Sequence, residues 1–143
     1  MQEPIRTMLG KNVSIRRLVT GLWQMADQER DGKQFDLDAA ANALHSYARA
    51  GFDTFDMADH YGSAELIAGH ARRKMQEHDS ANGPSSQARF HTKWCPKPGE
   101  MTPQKVREGV LLSAERLDME QIDLMQFHWW NYEHPQYLDA MEG

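Results

Sequence analysis

The fold is decided by the stretch GFDTFDMADHYG, residues 51–62. Apolar residues at helical spacing stop at Gly51, and a short apolar run around Phe55 follows, as in a buried strand. This run leads to Asp56 and then, through a polar turn, to Tyr61, after which a second helical pattern begins. Parallel α/β proteins hold their reactive groups at the carboxyl ends of their strands. The stretch therefore predicts one βα unit with a reactive loop at Asp56 and Tyr61.

Strands and helices alternate along the rest of the chain. The first three predicted helices each follow a residue that can cap them, and the first one ends at Gly51, a favourable residue for a left-handed cap. The second is expected to bury Leu66, Ile67, Ala71 and Met75, and in the third Asp118 stands where a glycine would close the helix most easily. The predicted strands are residues 18–23, 52–56, 89–92 and 122–127, the helices begin after Asp36, Ser63 and Thr102 and at Tyr137, and residues 24–35 and 79–87 are surface loops.

Four βα units with right-handed crossovers predict an α/β protein with a parallel sheet. A closed (β/α)₈ barrel takes about 250 residues, so we expect residues 1–143 to form one domain with the first four βα units of a TIM-type barrel. Residues 1–17 are expected to be an N-terminal extension or hairpin, with Val13 and Ile15 in one strand. Such an incomplete half barrel has two open sheet edges, which favour self-association.

The composition excludes several classes of function. The net charge is −5 and both signs are interspersed, without the basic runs that would indicate a nucleic-acid partner. The single cysteine, Cys95, excludes an intrachain disulfide and fits a reducing compartment. The sequence shows no secretory signal and no apolar stretch near the roughly 20 residues that cross a bilayer. We therefore expect a cytoplasmic protein without a membrane partner.

Candidate reactive side chains follow successive predicted strands: Asp56 with Tyr61, then Lys93, then His128. Each is more often structural when considered alone, but all are expected at the same end of the sheet. Reduction of a carbonyl by hydride transfer builds negative charge on its oxygen, which must receive a proton. Tyr61 can donate this proton, and a neighbouring Lys93 would favour the ionised phenol. Asp56 would hold Lys93, and His128 would donate a hydrogen bond to the carbonyl oxygen.

Residues 51–62 resemble the signature of the aldo-keto reductases, G-x-x-x-[FI]-D-[TC]-A-x-x-Y-[GQ], whose catalytic Asp and Tyr stand five residues apart. The segments FHTK, with Lys93, and IDLMQFHW, with His128, resemble later parts of the sequences of this family. The likeness therefore covers nearly the whole chain. The resemblance implies an oxidoreductase in which the proton donor is Tyr61. The implied catalytic residues are Asp56, Tyr61, Lys93 and His128.

The resemblance also implies NADPH as cofactor and a small aldehyde or ketone as substrate. Gly21, Leu22 and Trp23 resemble the Gly-Thr-Trp loop of the family, and with Asp56 they are the expected cofactor contacts. Because Leu22 replaces the usual hydroxyl residue, only its backbone could make such a contact. The residues expected to wall the substrate pocket are Trp23, Trp94, His128 and Trp129.

The family binds most of the cofactor with strands five to eight, which this sequence does not include. We therefore expect the truncated chain to have little or no turnover by itself. The alternative function is a non-catalytic binding or regulatory partner with the same fold, as in potassium-channel β subunits. A metal-dependent hydrolase could use Asp56, His60 and His128, but the early His-x-His pattern of such enzymes is missing. His128 and His134 lack a third ligand, so no metal site is expected.

Overall fold

The computed structural model describes residues 5–27, 36–79, 83 and 87–142. From Thr20 onward, strands alternate with helices or pairs of helices. The elements are β1 (Arg6–Leu9), β2 (Val13–Arg16), β3 (Thr20–Gly21), α1 (Trp23–Asp27), α2 (Leu37–Arg49), β4 (Thr54–Asp56), α3 (Ala64–His78), β5 (Arg89–Trp94), α4 (Pro103–Leu117), β6 (Leu124–Phe127) and α5 (Tyr137–Glu142).

A four-stranded parallel sheet with the order β3-β4-β5-β6 forms the centre of the fold. The parallel pairing of all four strands confirms the prediction of a parallel α/β protein. Strands that are consecutive in sequence are also neighbours in the sheet. The predicted first strand, residues 18–23, is too long: the strand holds Thr20 and Gly21 only, and Trp23 already begins α1. Part of the predicted loop 24–35 is therefore helical, and residues 28–35 lie outside the described residues.

The predicted ends of α2 and α4 are confirmed by the structure. The Asp36 carboxylate accepts a hydrogen bond from the Ala39 amide at 2.9 Å, and the Thr102 hydroxyl accepts one from the Lys105 amide at 3.2 Å. Gly51 follows the end of α2 with a φ of +89°, a left-handed conformation that glycine adopts without a Cβ penalty. Asp118 takes the same role after α4 with a φ of +54°.

The start of α3 differs from the prediction. Ser63 precedes the helix but its side chain makes no capping hydrogen bond, because its ψ of 10° is not the extended conformation that directs a cap hydroxyl back onto the first turn. The helix is closed instead by backbone bonds from the Ala64 amide to the Tyr61 carbonyl and from the Ile67 amide to the Ser63 carbonyl. Leu66, predicted to be buried on this helix, is 51% exposed.

The main core lies between the sheet and the helices α2, α3 and α4. Gly69 lets α3 approach α4 closely, because a Cβ atom at this position would lie 2.3 Å from the backbone oxygen of Arg116 in α4. None of the helices in the described ranges is long and apolar enough to cross a bilayer. The largest buried apolar side chains of this core are Leu22, Leu44, Phe55, Met57, Ile67, Phe90 and Leu117.

The β1–β2 hairpin lies against the amino-terminal end of the sheet. The residues predicted for a hairpin strand, Val13 and Ile15, lie in β2. One guanidinium nitrogen of Arg6 bonds both carboxylate oxygens of Asp53 at 3.0 Å, and Arg16 bonds one of them at 3.2 Å. Since the Asp53 side chain is only 1% exposed, the hairpin is fixed to β4 by a buried ionic contact.

The pleat of the sheet decides which side chains reach the functional site. Phe55 and Phe90 are paired in register and both belong to the helix-side core. Side chains alternate along a strand. The residue after Phe55, Asp56, and the residue three positions after Phe90, Lys93, must both point to the opposite face. Asp56 and Lys93 therefore lie on the concave face, away from the helices.

Candidate active site

Asp56 and Lys93 form an ion pair at the carboxyl ends of β4 and β5. The Lys93 ammonium donates to the Asp56 carboxylate at 2.7 Å, with the lysine side chain 13% and the aspartate 33% exposed. The other Asp56 oxygen accepts a hydrogen bond from the Gln126 side-chain amide on β6 at 3.2 Å. Three adjacent strands thus contribute to one polar cluster on the concave face.

Tyr61 reaches this ion pair from the loop after β4. The loop continues the parallel pairing beyond the strand, since the Met57 amide donates to the His91 carbonyl and the Asp59 amide to the Lys93 carbonyl, both at 2.9 Å. The Lys93 nitrogen lies 5.3 Å from the centre of the Tyr61 ring, within the range of a cation–π contact. The edge of the Tyr61 ring meets Trp23, with the ring centres 4.6 Å apart.

His128 lies directly after β6, one strand further along the sheet than Lys93. Its amide donates to the Trp94 carbonyl at 2.9 Å, which fixes the backbone at this point. The imidazole stacks on the Trp130 ring with the centres 4.1 Å apart. The structure therefore brings Asp56, Tyr61 and Lys93 together and holds His128 at the neighbouring strand end.

Trp94 and Trp129 do not join this cluster, contrary to the expectation that they wall the pocket. Trp94 follows Lys93 and Trp129 follows His128, so the alternation of the strand directs both rings toward the helices. Trp94 packs against Gly109 of α4, where a Cβ atom would lie 2.3 Å from the indole nitrogen. Both rings are buried in a second core cluster with Met101 and Ala140.

Trp130 occupies a position that the sequence interpretation gave to Trp129. It is 66% exposed, stacks on His128, and lies 6.5 Å from the His60 ring. The His60 ring in turn meets the Tyr61 ring with centres 4.8 Å apart. The period of two along a strand was the signal that could have distinguished Trp130 from Trp129.

Three of the four residues expected to contact a cofactor lie around the end of β3 and are placed differently from one another; the fourth is Asp56, described above. Gly21 is exposed at the end of β3, in register with Asp56. Leu22 is fully buried in the main core, its amide donates to the Asp56 carbonyl, and its own carbonyl accepts from Ala26. The amide of Leu22 is thus used within the protein, and its carbonyl oxygen keeps a second lone pair. Trp23 is 37% exposed beside Tyr61.

A second polar cluster next to the ion pair was missed by the sequence interpretation. The Asp59 carboxylate accepts from the Cys95 amide at 3.1 Å and bonds the His60 ring nitrogen Nδ1 at 3.1 Å. Burial, reinforced by the negative charge of Asp59, raises the pKa of the Cys95 thiol to about 11. Cys95 is therefore a protonated thiol at neutral pH in the absence of a ligand.

His91 lies in register with Asp56 and is 4% exposed. Burial is the main cause that lowers its pKa below 6.5, opposed by the carboxylates of Asp123 and Asp56. Its Nε2 atom has no hydrogen-bond partner among the described residues. A neutral ring is the favoured state at such a position, because an unpaired charge would be desolvated.

Comparison with known proteins gives the family of this fold and site. The family model described as the aldo/keto reductase family matches residues 17–143. The chain belongs to the aldo/keto reductase family. A comparison with curated proteins finds no match.

Solved structures of the family share the fold at low sequence identity. A thermostable aldo-keto reductase in complex with the inhibitor epalrestat superposes with a TM-score of 0.69 at 22% identity, covering 96% of this chain and 48% of that one. The Bombyx mori aldo-keto reductase in complex with NADP gives 0.64 at 18% identity, covering 99% and 48%. An aldo/keto reductase from Brucella melitensis gives 0.62 at 18% identity, covering 97% and 50%. The chain thus spans about half the length of these structures and has the fold of a partial barrel.

Proposed function

We propose that this protein is an NADPH-dependent reductase of small aldehydes or ketones, with Tyr61 as the proton donor. The observation that carries the proposal is the position of the Lys93 ammonium, 2.7 Å from the Asp56 carboxylate and 5.3 Å from the centre of the Tyr61 ring. A positive charge beside the ring would stabilise the negative charge that develops on the phenol oxygen while Tyr61 donates its proton.

The surrounding residues support the same assignment. The ion pair of Asp56 and Lys93 is only partly accessible to water, so the attraction between its charges is stronger than on an open surface. Two unit charges about 4 Å apart at an effective dielectric constant of about 20 interact by roughly 4 kcal/mol before desolvation is counted. Asp56 holds the ammonium, and Gln126 holds Asp56. His128, stacked on Trp130, is the group that we assign to orienting the carbonyl oxygen.

The described residues fit one end of a nicotinamide cofactor. This end is the nicotinamide ring, which would lie next to the carbonyl group that receives the hydride. The residues that suit both groups are Asp56, Tyr61 and Lys93, with Trp23 beside them. When bound, NADPH would supply that hydride. The cation Lys93 is held by Asp56, and Arg116 is held by the buried carboxylate of Glu65 at 3.2 Å, so neither is available to a phosphate group. The Bombyx mori relative was solved with NADP, which supports this cofactor class for the present chain.

The proposal is tested by following NADPH consumption with an aromatic aldehyde under single-turnover conditions, with protein in excess. We expect Tyr61→Phe to lower the rate of hydride transfer by about 10²- to 10⁴-fold, the usual contribution of a positioned acid. Tyr47→Phe is the matched control, because Tyr47 is 48% exposed on α2 and should leave the rate unchanged. Equal rates for Tyr61→Phe and the parent protein would contradict the proposal.

The proposal includes slow turnover by this chain alone, because the chain covers about half the length of the solved relatives. The same assay is therefore repeated with the carboxyl-terminal half of a family member added, and size-exclusion chromatography reports whether the two halves associate. We expect the rate to rise when they do. An associated complex that binds NADPH and still reduces no carbonyl compound would favour the second candidate below.

The second candidate is a non-catalytic partner module with the aldo-keto reductase fold. Among the described strands, β3 and β6 each pair with one neighbour in the four-stranded sheet, and Leu111 and Leu112 of α4 are 58% and 46% exposed. Open edges and exposed apolar side chains favour association with another chain. Chromatography of the chain alone and mixed with a full-length family member would separate self-association from association with the relative.

A further inference from the structure

Three potential metal ligands converge beside the proposed catalytic cluster from two loops that are far apart in the sequence. Asp59 and His60 belong to the loop after β4, and Cys95 follows β5, 36 residues beyond Asp59. One carboxylate oxygen, one imidazole nitrogen and the thiol sulfur all lie within 4.8 Å of one another. The three residues are a separate group, since none of them bonds Asp56 or Lys93 through the side-chain contacts described above.

The geometry of this group is close to that of a tetrahedral metal site. Bond lengths of about 2.0–2.3 Å place two ligands of a zinc ion about 3.3–3.8 Å apart. The Asp59 oxygen and the His60 Nδ1 atom are already 3.1 Å apart. The sulfur of a zinc site lies about 3.6 Å from its oxygen and nitrogen ligands, so a sulfur at the 4.8 Å limit would need to approach them by about 1.2 Å. Such a displacement is within reach of a side-chain rotation at a partly exposed site.

Hydrogen bonds already fix two of the three ligand residues, Asp59 and Cys95. The Asp59 amide donates to the Lys93 carbonyl at 2.9 Å, and the Cys95 amide donates to the second carboxylate oxygen of Asp59 at 3.1 Å. The Arg116 guanidinium donates to the Asp59 carbonyl at 3.3 Å. Hydrogen bonds of this kind orient the ligands of metal sites and increase their affinity. Because the His60 side chain is 41% exposed, an ion could enter from solvent.

We propose that Asp59, His60 and Cys95 form a binding site for a thiolate-seeking divalent ion of the zinc class. A thiolate with an imidazole selects such an ion over calcium or magnesium, which prefer ligands that are all oxygen. On binding, the sulfur forms a bond to the metal and its proton passes to solvent. The proton with which His60 Nδ1 bonds Asp59 is lost to solvent and Nε2 takes one up, so that the neutral imidazole coordinates through Nδ1. Three protein ligands leave the fourth position to water, as in open zinc sites.

A bound ion at this position would link the Tyr61 loop to the end of β5. His60 immediately precedes Tyr61, and the two rings lie 4.8 Å apart, while Cys95 stands two residues after Lys93. Metal binding would turn the His60 ring toward the sulfur and fix the loop that carries the phenol. The binding site itself does not depend on whether Tyr61 is catalytic.

Cobalt(II) is the probe that tests the proposal, since its bond to a thiolate gives a charge-transfer absorption band. Cys95 is the single cysteine of the chain, so the band can report only this residue. We expect one Co²⁺ per chain, loss of the band when Zn²⁺ is added, and no band in Cys95→Ser. Asp59→Asn and His60→Gln should each weaken the binding of Co²⁺ by about 10- to 100-fold or more. The loss of an outer-shell partner already costs this much, and the loss of a ligand should cost at least as much.

The matched control removes another histidine that is paired with an aspartate. His45 bonds the Asp79 carboxylate at 3.3 Å between α2 and α3, and His45→Gln should bind Co²⁺ like the parent protein. The proposal is wrong if no thiolate band forms, if the band is insensitive to Asp59→Asn and His60→Gln, or if one ion is shared by two chains. Thermal unfolding gives a second test should a variant fail to fold. Zn²⁺ should raise the unfolding temperature of the parent protein and leave that of Cys95→Ala unchanged.

Discussion

The two carboxylates of β4 and its entry, Asp53 and Asp56, stand three residues apart and are both ion-paired, yet they differ in nearly every other respect. Asp53 is 1% exposed, and Arg6 and Arg16 of the hairpin bond both of its oxygens. Asp56 is 33% exposed, and its partners are a flexible ammonium from Lys93 and the side-chain amide of Gln126. The first pair closes the amino-terminal end of the sheet, and the second stands at its open rim.

This difference separates a structural ion pair from one that is able to take part in chemistry. A buried carboxylate held by two guanidinium groups has no capacity left for another ligand. Asp56 is partly exposed and holds a single cation, and that ammonium also lies beside the Tyr61 ring. Charge and residue type are the same at both ends of the strand, so the number of cationic partners and the access of water distinguish the two sites.

The largest effect on stability is expected from breaking the pair at the closed end. Asp53→Asn leaves Arg6 and Arg16 facing a neutral side chain in a site with little water. Breaking a buried pair costs about 3–5 kcal/mol, and we expect about 3 kcal/mol here, the lower end of this range, because the two arginine side chains are 21% and 11% exposed. Urea unfolding measures the change. The exposed contact of Asp38 with His70 and Lys74 provides the control, and Asp38→Asn should have little effect.

The matching substitution at the rim should be much less harmful. We expect Asp56→Asn to lower the free energy of unfolding by about 1 kcal/mol or less, since partly exposed pairs contribute little and the amide side chain introduced there would still accept a hydrogen bond from Lys93 or Gln126. Urea unfolding of both variants under the same conditions gives the comparison directly. Equal losses for the two substitutions would mean that the rim pair is also structural, and would remove the physical reason for assigning it to catalysis.

Much of the fold could be predicted from local signals in the sequence. The cap at Asp36, the glycine after α2 and the Thr102-Pro103 start of α4 act within one helical turn, and each is found where expected. The length of the first strand could not be predicted in the same way. Residues 18–23 are apolar enough for a strand, but Leu22 leaves the sheet to fill the core and Trp23 turns toward Tyr61, which are long-range contacts.

The candidate site shows the same division between local and long-range information. The pairing of Asp56 with Lys93 follows from the order of parallel strands, and the ion pair is observed, whereas the catalytic roles remain predictions. Trp94 and Trp129 were assigned to the pocket by residue type, although the alternation of the strand directs them to the helices. The Asp59–Cys95 contact depends on the register between a loop and the next strand, which the sequence does not reveal.

The smallest expected effect concerns His91, which lies level with Asp56 on the adjacent strand. Its folded-state pKa is lowered from 6.5, chiefly by burial, so the unfolded chain takes up a proton at a higher pH than the folded one does. Below about pH 6.5 the unfolded state therefore binds more protons, and the free energy of unfolding decreases as the pH falls until it passes the lowered pKa. Unfolding measured between pH 7.5 and 5 should show a shallower loss of stability for His91→Gln than for the parent protein. His134→Gln, at an exposed position, is the control for the loss of one histidine. If the pH dependence of stability of His91→Gln is no shallower than that of this control, His91 is not the source of the acid sensitivity.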